Sequence, residues 1–202
     1  MHKLYYPLKY SCFINCLNCT YYLTIVILLK MKIKTLLLCF FLLGSLTVAN
    51  AQESASAVLE KAYKQAKKEN KKVLVMFHAS WCSWCKKMEK NMETETTKKL
   101  FDDNYVITFL TVQERGANKN LENPGADDLL KKYKADKQGI PFWLILDAKG
   151  NKLEDSFNAK GENLGCPATP EEVAEFTGKL KRTSKLKDKE LAVIAEVFTI
   201  KK

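Results

Sequence analysis

The chain has 202 residues, 47% of them hydrophobic, with 33 basic residues against 23 acidic ones and a net charge of +10. That length suits one domain with a sizeable core. Beyond residue 51 the positive residues are spread along helical stretches and interleaved with acids, as on a solvated surface, and nothing in the pattern points to nucleic-acid binding.

From Met31 the sequence reads MKIKTLLLCFFLLGSLTVANAQ. A lysine-bearing start precedes an apolar run from Leu36 to Leu46, and small residues follow, ending Ala49-Asn50-Ala51. That order predicts a secretory signal cut after Ala51, and the run is too short for a comfortable membrane span. Cys39 is not a lipid-attachment site, because Leu38 is too large to precede a lipidated cysteine and the run continues past it. Residues 1–30 hold a second apolar run, Tyr21 to Leu29, stopped by Lys30, Lys32 and Lys34. Translation is expected to begin at Met31; the alternative is a membrane anchor made from the N-terminal apolar segments. Without residues 1–51 the chain loses five lysines and no acid, so 33 basic residues become 28 and the net charge falls to +5. Four of the seven cysteines go too (12, 16, 19 and 39), leaving Cys82, Cys85 and Cys166. The exported chain is then no disulfide-dense scaffold.

Residues 53–69 carry Ala55, Val58, Leu59, Ala62, Tyr63 and Ala66 on one helical stripe. KKVLVMFHA, ending at Ala79, is a continuous apolar run bounded by charge, which predicts a buried strand. The pair Cys82–Cys85 follows directly, with a helix predicted to begin at Cys82. A short helix near Thr96–Phe101 and a strand over 105–112 come next. QERGANKNLENPGA (113–126) is polar and marked by Gly and Pro, hence a surface loop. DDLLKKYKA is a short helix, GIPFWLILD a third strand opened by Pro141, AKGN a turn, and KLEDSFN a fourth strand. Thr169, Pro170 and Glu172 form the cap, first position and capping box of another helix. The last segment sets Leu191, Ile194 and Val197 in register and is expected to pack on the domain. The domains expected are residues 1–51 (extension plus signal), 52–185 (the redox domain) and 186–202 (the packed C-terminal helix).

The chemistry centres on HASWCSWCKK, residues 78–87. A structural zinc site needs four ligands, commonly two pairs, and no second pair accompanies this one, so no metal is expected. As a permanent disulfide, so short a loop would constrain little of the unfolded chain. Exchange chemistry remains. At a helix start, the Cys82 thiol meets unpaired N–H groups and the positive end of the helix dipole, with Lys86 and Lys87 nearby. Such settings bring a thiol from about 8.5 into the range of roughly 3.5–7.5. Cys82 is therefore the expected nucleophile and Cys85, one turn further in, the resolving thiol. Trp81 and Trp84 flank the pair with apolar surface for gripping extended polypeptide.

VLVMFHASWCSWCKKME resembles the active-site strand–turn–helix of thioredoxin-like proteins, and GIPFWLILDAKGN resembles their second landmark, a proline strand and hairpin. The resemblance covers roughly residues 55–182. It implies an α/β thioredoxin-like fold, a central mixed β-sheet flanked by helices. It also implies a cis Ile140–Pro141 bond beside the cysteines, where substrate backbone would be accepted. Thioredoxins proper have Gly-Pro between the cysteines and a buried Asp six residues before the first; here Ser83-Trp84 and Met76 stand there. Glu89, four residues after Cys85 on the same helix face, could replace that acid; some exported reductase domains of the superfamily have an acid at that offset. The alternative is an ordinary surface glutamate. His78 reads as a strand-end residue and Cys166 as an inert thiol in the loop before the last core helix.

The function expected is that of a thiol–disulfide oxidoreductase, a monomer reducing protein or peptide disulfides in the periplasm. Its catalytic residues are Cys82, Cys85 and Glu89; its substrate-binding residues are Trp81, Trp84, Ile140 and Pro141. No cofactor is needed, because the dithiol carries the electrons, and an upstream membrane or thioredoxin-type electron donor is implied. The alternatives are a disulfide isomerase or oxidase, or a non-catalytic thioredoxin-like module that binds peptide.

Overall fold

The computed structural model describes residues 25–34 and 52–200. The chain divides into two compact units, Met1–Asn50 and Ala51–Lys202. In the first, residues 25–34 form helix α1, with the apolar side chains from Ile25 to Leu29 exposed. The expected signal run and its cut after Ala51 lie outside the described residues, as does the stretch before Ile25. No helix among the described residues is long and apolar enough to cross a membrane.

The second unit runs α2 (Ala55–Glu69), β1 (Lys72–His78), α3 (Ser83–Met92), α4 (Lys98–Asn104), β2 (Tyr105–Thr111), a 3-10 turn (Gly116–Leu121) and α5 (Ala126–Lys132). It continues through β3 (Phe142–Leu146), β4 (Lys152–Asp155), α6 (Pro170–Thr183) and α7 (Asp188–Phe198). The sheet order is β2-β1-β3-β4. β1 is parallel to β2 and antiparallel to β3, and β3 is antiparallel to β4.

β1 sits centrally, which explains its uninterrupted apolar run. Alternate side chains of a strand point to opposite faces. Leu74 and Met76 join the apolar cluster of α3, α6 and α7, whereas Val73, Val75 and Phe77 join the cluster of α2 and α5. With helices on both faces, no position on the strand calls for a polar residue. α7 packs through Leu191, Ile194 and Phe198; the Phe198 ring lies 5.1 Å from Phe176 and 6.3 Å from Phe101. Burying one such ring contributes about 2 kcal/mol.

The helix ends follow local chemistry. Ser54 accepts the Ala57 N–H at 3.3 Å, and Asn70, left-handed at φ 53°, closes α2 by donating its N–H to the Ala66 carbonyl. At α6, Thr169 accepts the Glu172 N–H while the Glu172 carboxylate accepts the Thr169 N–H, the reciprocal box. A cap of this kind is worth about 1 kcal/mol.

Two expectations change. The fourth strand stops at Asp155, short of Asn158. Ser156 is fully buried there, donating its hydroxyl to Asn163 at 2.7 Å, and Phe157 turns edge-on to Phe142. The 113–126 loop is not simply surface, because Glu114, Asn123 and Ala126 are buried. Asn123 accepts the Thr111 N–H and donates to the Glu53 carbonyl, tying the loop to the end of β2 and the entry to α2. Polar composition foretold exposure, but hydrogen-bond partners supplied by distant segments allow these side chains inside.

Candidate active site

β1 delivers the chain to His78, and Ala79-Ser80-Trp81 turns it into α3. The turn closes with the Cys82 N–H donating to the Ala79 carbonyl at 3.0 Å. Cys82 is the N-cap of α3, extended at φ −80° and ψ 103°, so the helix proper starts one residue later than its predicted start. Its sulfur accepts the Cys85 N–H at 3.1 Å. A helix leaves its first N–H groups without internal partners, and here the cysteine sulfur takes the role a Ser or Asp oxygen plays at ordinary caps. Cys82 and Cys85 are joined as a disulfide, with their Cα atoms 5.3 Å apart. Cys85 is fully buried and Cys82 nearly so.

The segment before β3 comes alongside. The Ile140–Pro141 peptide bond is cis, and the Ile140 carbonyl oxygen lies 3.6 Å from the Cys82 sulfur. Asn163 fixes this segment by donating its side-chain amide toward the carbonyls of Pro141 (3.0 Å), Gln138 and Gly139 (both 3.2 Å). Gly165 follows at φ 58°, close against Pro141, and its carbonyl accepts the Trp143 indole N–H at 3.0 Å. Nothing in ENLGC marked Asn163 for this work; its role depends on a contact 22 residues away in sequence.

Glu114 is the second residue the sequence concealed. Its carboxylate accepts the Ser80 N–H at 2.6 Å and the Ser80 hydroxyl at 2.7 Å. Burial pushes this carboxyl up, but the two Ser80 bonds, the His78 ring and the Arg115 N–H outweigh it, and the net shift is downward. The neighbouring Gln113 carbonyl accepts the Trp81 indole N–H at 2.8 Å, and the Arg115 guanidinium stacks 4.0 Å from that ring's centre. Three consecutive loop residues thus grip the turn leading to Cys82.

Both tryptophans beside the pair are exposed, and the Lys87 ammonium lies 5.0 Å from the Trp84 ring centre. Met76 is fully buried in β1, paired across the sheet with Trp143, so the position of the family's buried acid is apolar. Glu89 turns its carboxylate to His78, whose Nδ1 lies 3.0 Å from Glu89 Oε1. The other ring nitrogen lies 3.3 Å from the Thr111 hydroxyl. A neutral ring that donates Nδ1–H to Glu89 accepts from Thr111 at Nε2. His78, read from sequence as an ordinary strand end, is the partner that orients Glu89. Cys166 is free and buried in the same apolar cluster as the pair. Burial pushes its thiol up to about 11, with Lys87 opposing. It is therefore protonated at neutral pH and a poor nucleophile. No three or more His, Cys, Asp or Glu side chains group as metal ligands among the described residues.

A mixed sheet flanked by helices, with a Cys-Xaa-Xaa-Cys pair at disulfide distance capping a helix beside a proline segment, defines a thioredoxin-like oxidoreductase fold. Residues 54–148, just under half of the chain, match the family described as Thioredoxin-like. Among solved structures, the chain is similar to a disulphide isomerase from Xylella fastidiosa Temecula1 at 20% identity. That alignment covers 75% of this chain and 91% of the other, with a TM-score of 0.43. An oxidoreductase named DsbH matches at 22% identity over 67% of this chain and 85% of its own, TM-score 0.41. The oxidised DsbD C-terminal domain of Neisseria meningitidis matches at 25% over 52% and 84%, TM-score 0.37. No curated protein matches the chain.

Proposed function

We propose that this protein is a thiol–disulfide oxidoreductase that reduces disulfides of exported polypeptides outside the cytoplasm. The observation that carries the proposal is Cys82 as the sulfur cap of α3, bonded to Cys85 and faced by the Ile140 carbonyl. After reduction, the helix N-terminus favours the Cys82 thiolate. That thiolate attacks one sulfur of the substrate disulfide, forming a mixed disulfide and expelling the first substrate thiolate. Cys85 loses its proton and attacks Cys82 Sγ, which expels the second substrate thiolate and restores the Cys82–Cys85 bond. Two electrons and two protons pass to the substrate. A dithiol donor must then return the pair to its reduced form, and no further cofactor enters.

In this reading Trp81 and Trp84 hold the polypeptide, and the backbone at Ile140 and Pro141 receives it as an added strand. The signal pattern before Gln52 supports export to the periplasm. The reduction potential of the Cys82–Cys85 couple, equilibrated against a glutathione buffer, tests the direction. A reductase requires about −270 to −200 mV; a value near −120 mV makes the protein an oxidant instead.

Glu89 is the proposed proton acceptor for Cys85. A base must lie within hydrogen-bond reach of its proton, directly or through one water, and Glu89 stands one turn along α3 while His78 holds its carboxylate. Glu89→Gln should slow release of substrate from the Cys82 mixed disulfide about tenfold or more at pH 7, leaving the first attack nearly unchanged. The defect should shrink as pH rises and Cys85 ionises unaided. Equal release rates in stopped-flow at pH 7 would reduce Glu89 to a surface charge.

A further inference from the structure

We infer that the rim of the cysteine pair selects polypeptides carrying acidic residues beside their disulfide. This rests on the oxidoreductase reading above and specifies its substrate class. Trp81 and Trp84 bracket Cys82 and remain 41% and 48% exposed, large values for aromatic rings in a packed domain. Each carries a cation: the Arg115 guanidinium 4.0 Å from the Trp81 ring centre, and the Lys87 ammonium 5.0 Å from that of Trp84.

Neither cation is neutralised from within. Among the described residues, no ion pair joins Arg115 or Lys87 to a carboxylate. The nearby carboxylates keep their charge but are turned elsewhere, Glu114 onto Ser80, Glu89 onto His78 and Glu172 onto the start of α6. The indole under Arg115 is itself fixed by its N–H bond to the Gln113 carbonyl, so the guanidinium rests on an oriented ring. Stacking occupies a face of the guanidinium and leaves its in-plane N–H groups free to grip a carboxylate in two-point fashion. Two exposed indoles that flank Cys82 in the sequence, each carrying an unpaired cation, therefore complement an extended chain with Glu or Asp flanking its cystine. They repel one with Lys or Arg there.

The test uses two synthetic peptides with one disulfide each, identical except for Glu or Lys on both sides of the cysteines. The full-length protein is reduced beforehand, and each reduction rate is divided by the rate with a small uncharged dithiol, which removes intrinsic differences between the disulfides. The acidic peptide should react about tenfold faster at low ionic strength, two exposed ion pairs each being worth up to a few-fold. The preference should collapse at about 1 M salt, where the screening length is roughly 3 Å. Arg115→Glu combined with Lys87→Glu should invert the preference. Both peptides meet the same protein, so a general loss of activity in the variant cancels in the ratio. Equal rates for the two peptides, or a preference untouched by salt and by charge reversal, overturn the inference. Reduction of neither peptide overturns the oxidoreductase reading itself, and the selectivity with it.

Discussion

Reduced Cys85→Ala protein mixed with a disulfide-bonded polypeptide is expected to accumulate as a covalent adduct through Cys82. The first exchange needs only Cys82, and its cap bond is made to the backbone N–H of residue 85, which an alanine keeps. Resolution needs a second thiol held against the mixed disulfide, and the two Cα atoms are 5.3 Å apart. Intramolecular groups so placed act at effective concentrations far above any external thiol, so release should slow by at least about a thousandfold with millimolar thiol outside. The adduct is read by non-reducing electrophoresis and mass spectrometry, and a reducing agent should dissolve it. Cys82→Ala should form none. A non-catalytic peptide-binding module predicts the opposite: peptide bound reversibly in both variants and no covalent species. Absence of the adduct would therefore select that reading.

Glu114→Ala should cost about 2–3 kcal/mol, because it removes two hydrogen bonds to a charged acceptor that hold the Ser80 turn. Against a total stability of roughly 5–15 kcal/mol, that loss is large, and urea unfolding measures it directly. Glu114→Gln keeps one acceptor for the Ser80 N–H and should cost markedly less. The pH dependence follows from the direction of the shift. The folded-state carboxyl titrates below its ordinary value, so the stabilisation is complete above the ordinary carboxylate range. It fades as pH falls through the folded-state value, when the protonated group no longer accepts both Ser80 bonds as a carboxylate. The parent should therefore lose its advantage over Glu114→Ala on acidification. An unchanged difference between the two from pH 7 down to pH 3 would show that the carboxylate is not what holds the turn.

The elements followed from the amino-acid order where local physics dominates. The apolar stripe of α2, the doubly buried run of β1 and the Thr169–Glu172 box each announce themselves within about a dozen residues, because periodicity and capping are short-range properties. Cys82 and Cys85 were legible for the same reason: a strand, a turn and a helix start lie within one contiguous stretch. The sequence by itself also determined that Trp81 and Trp84 stand beside the pair and that Met76 replaces an acid. The tertiary structure alone decided what surrounds them. Glu114 reaches Ser80 across 34 residues, Asn163 reaches Pro141 across 22, and His78 reaches Glu89 across 11. A buried polar group is stable only with its partner present, and that partner is chosen by how β2, β3 and the loop before α6 come together. The composition of 113–126 therefore pointed outward, while its hydrogen bonds drew Glu114 and Asn123 inward.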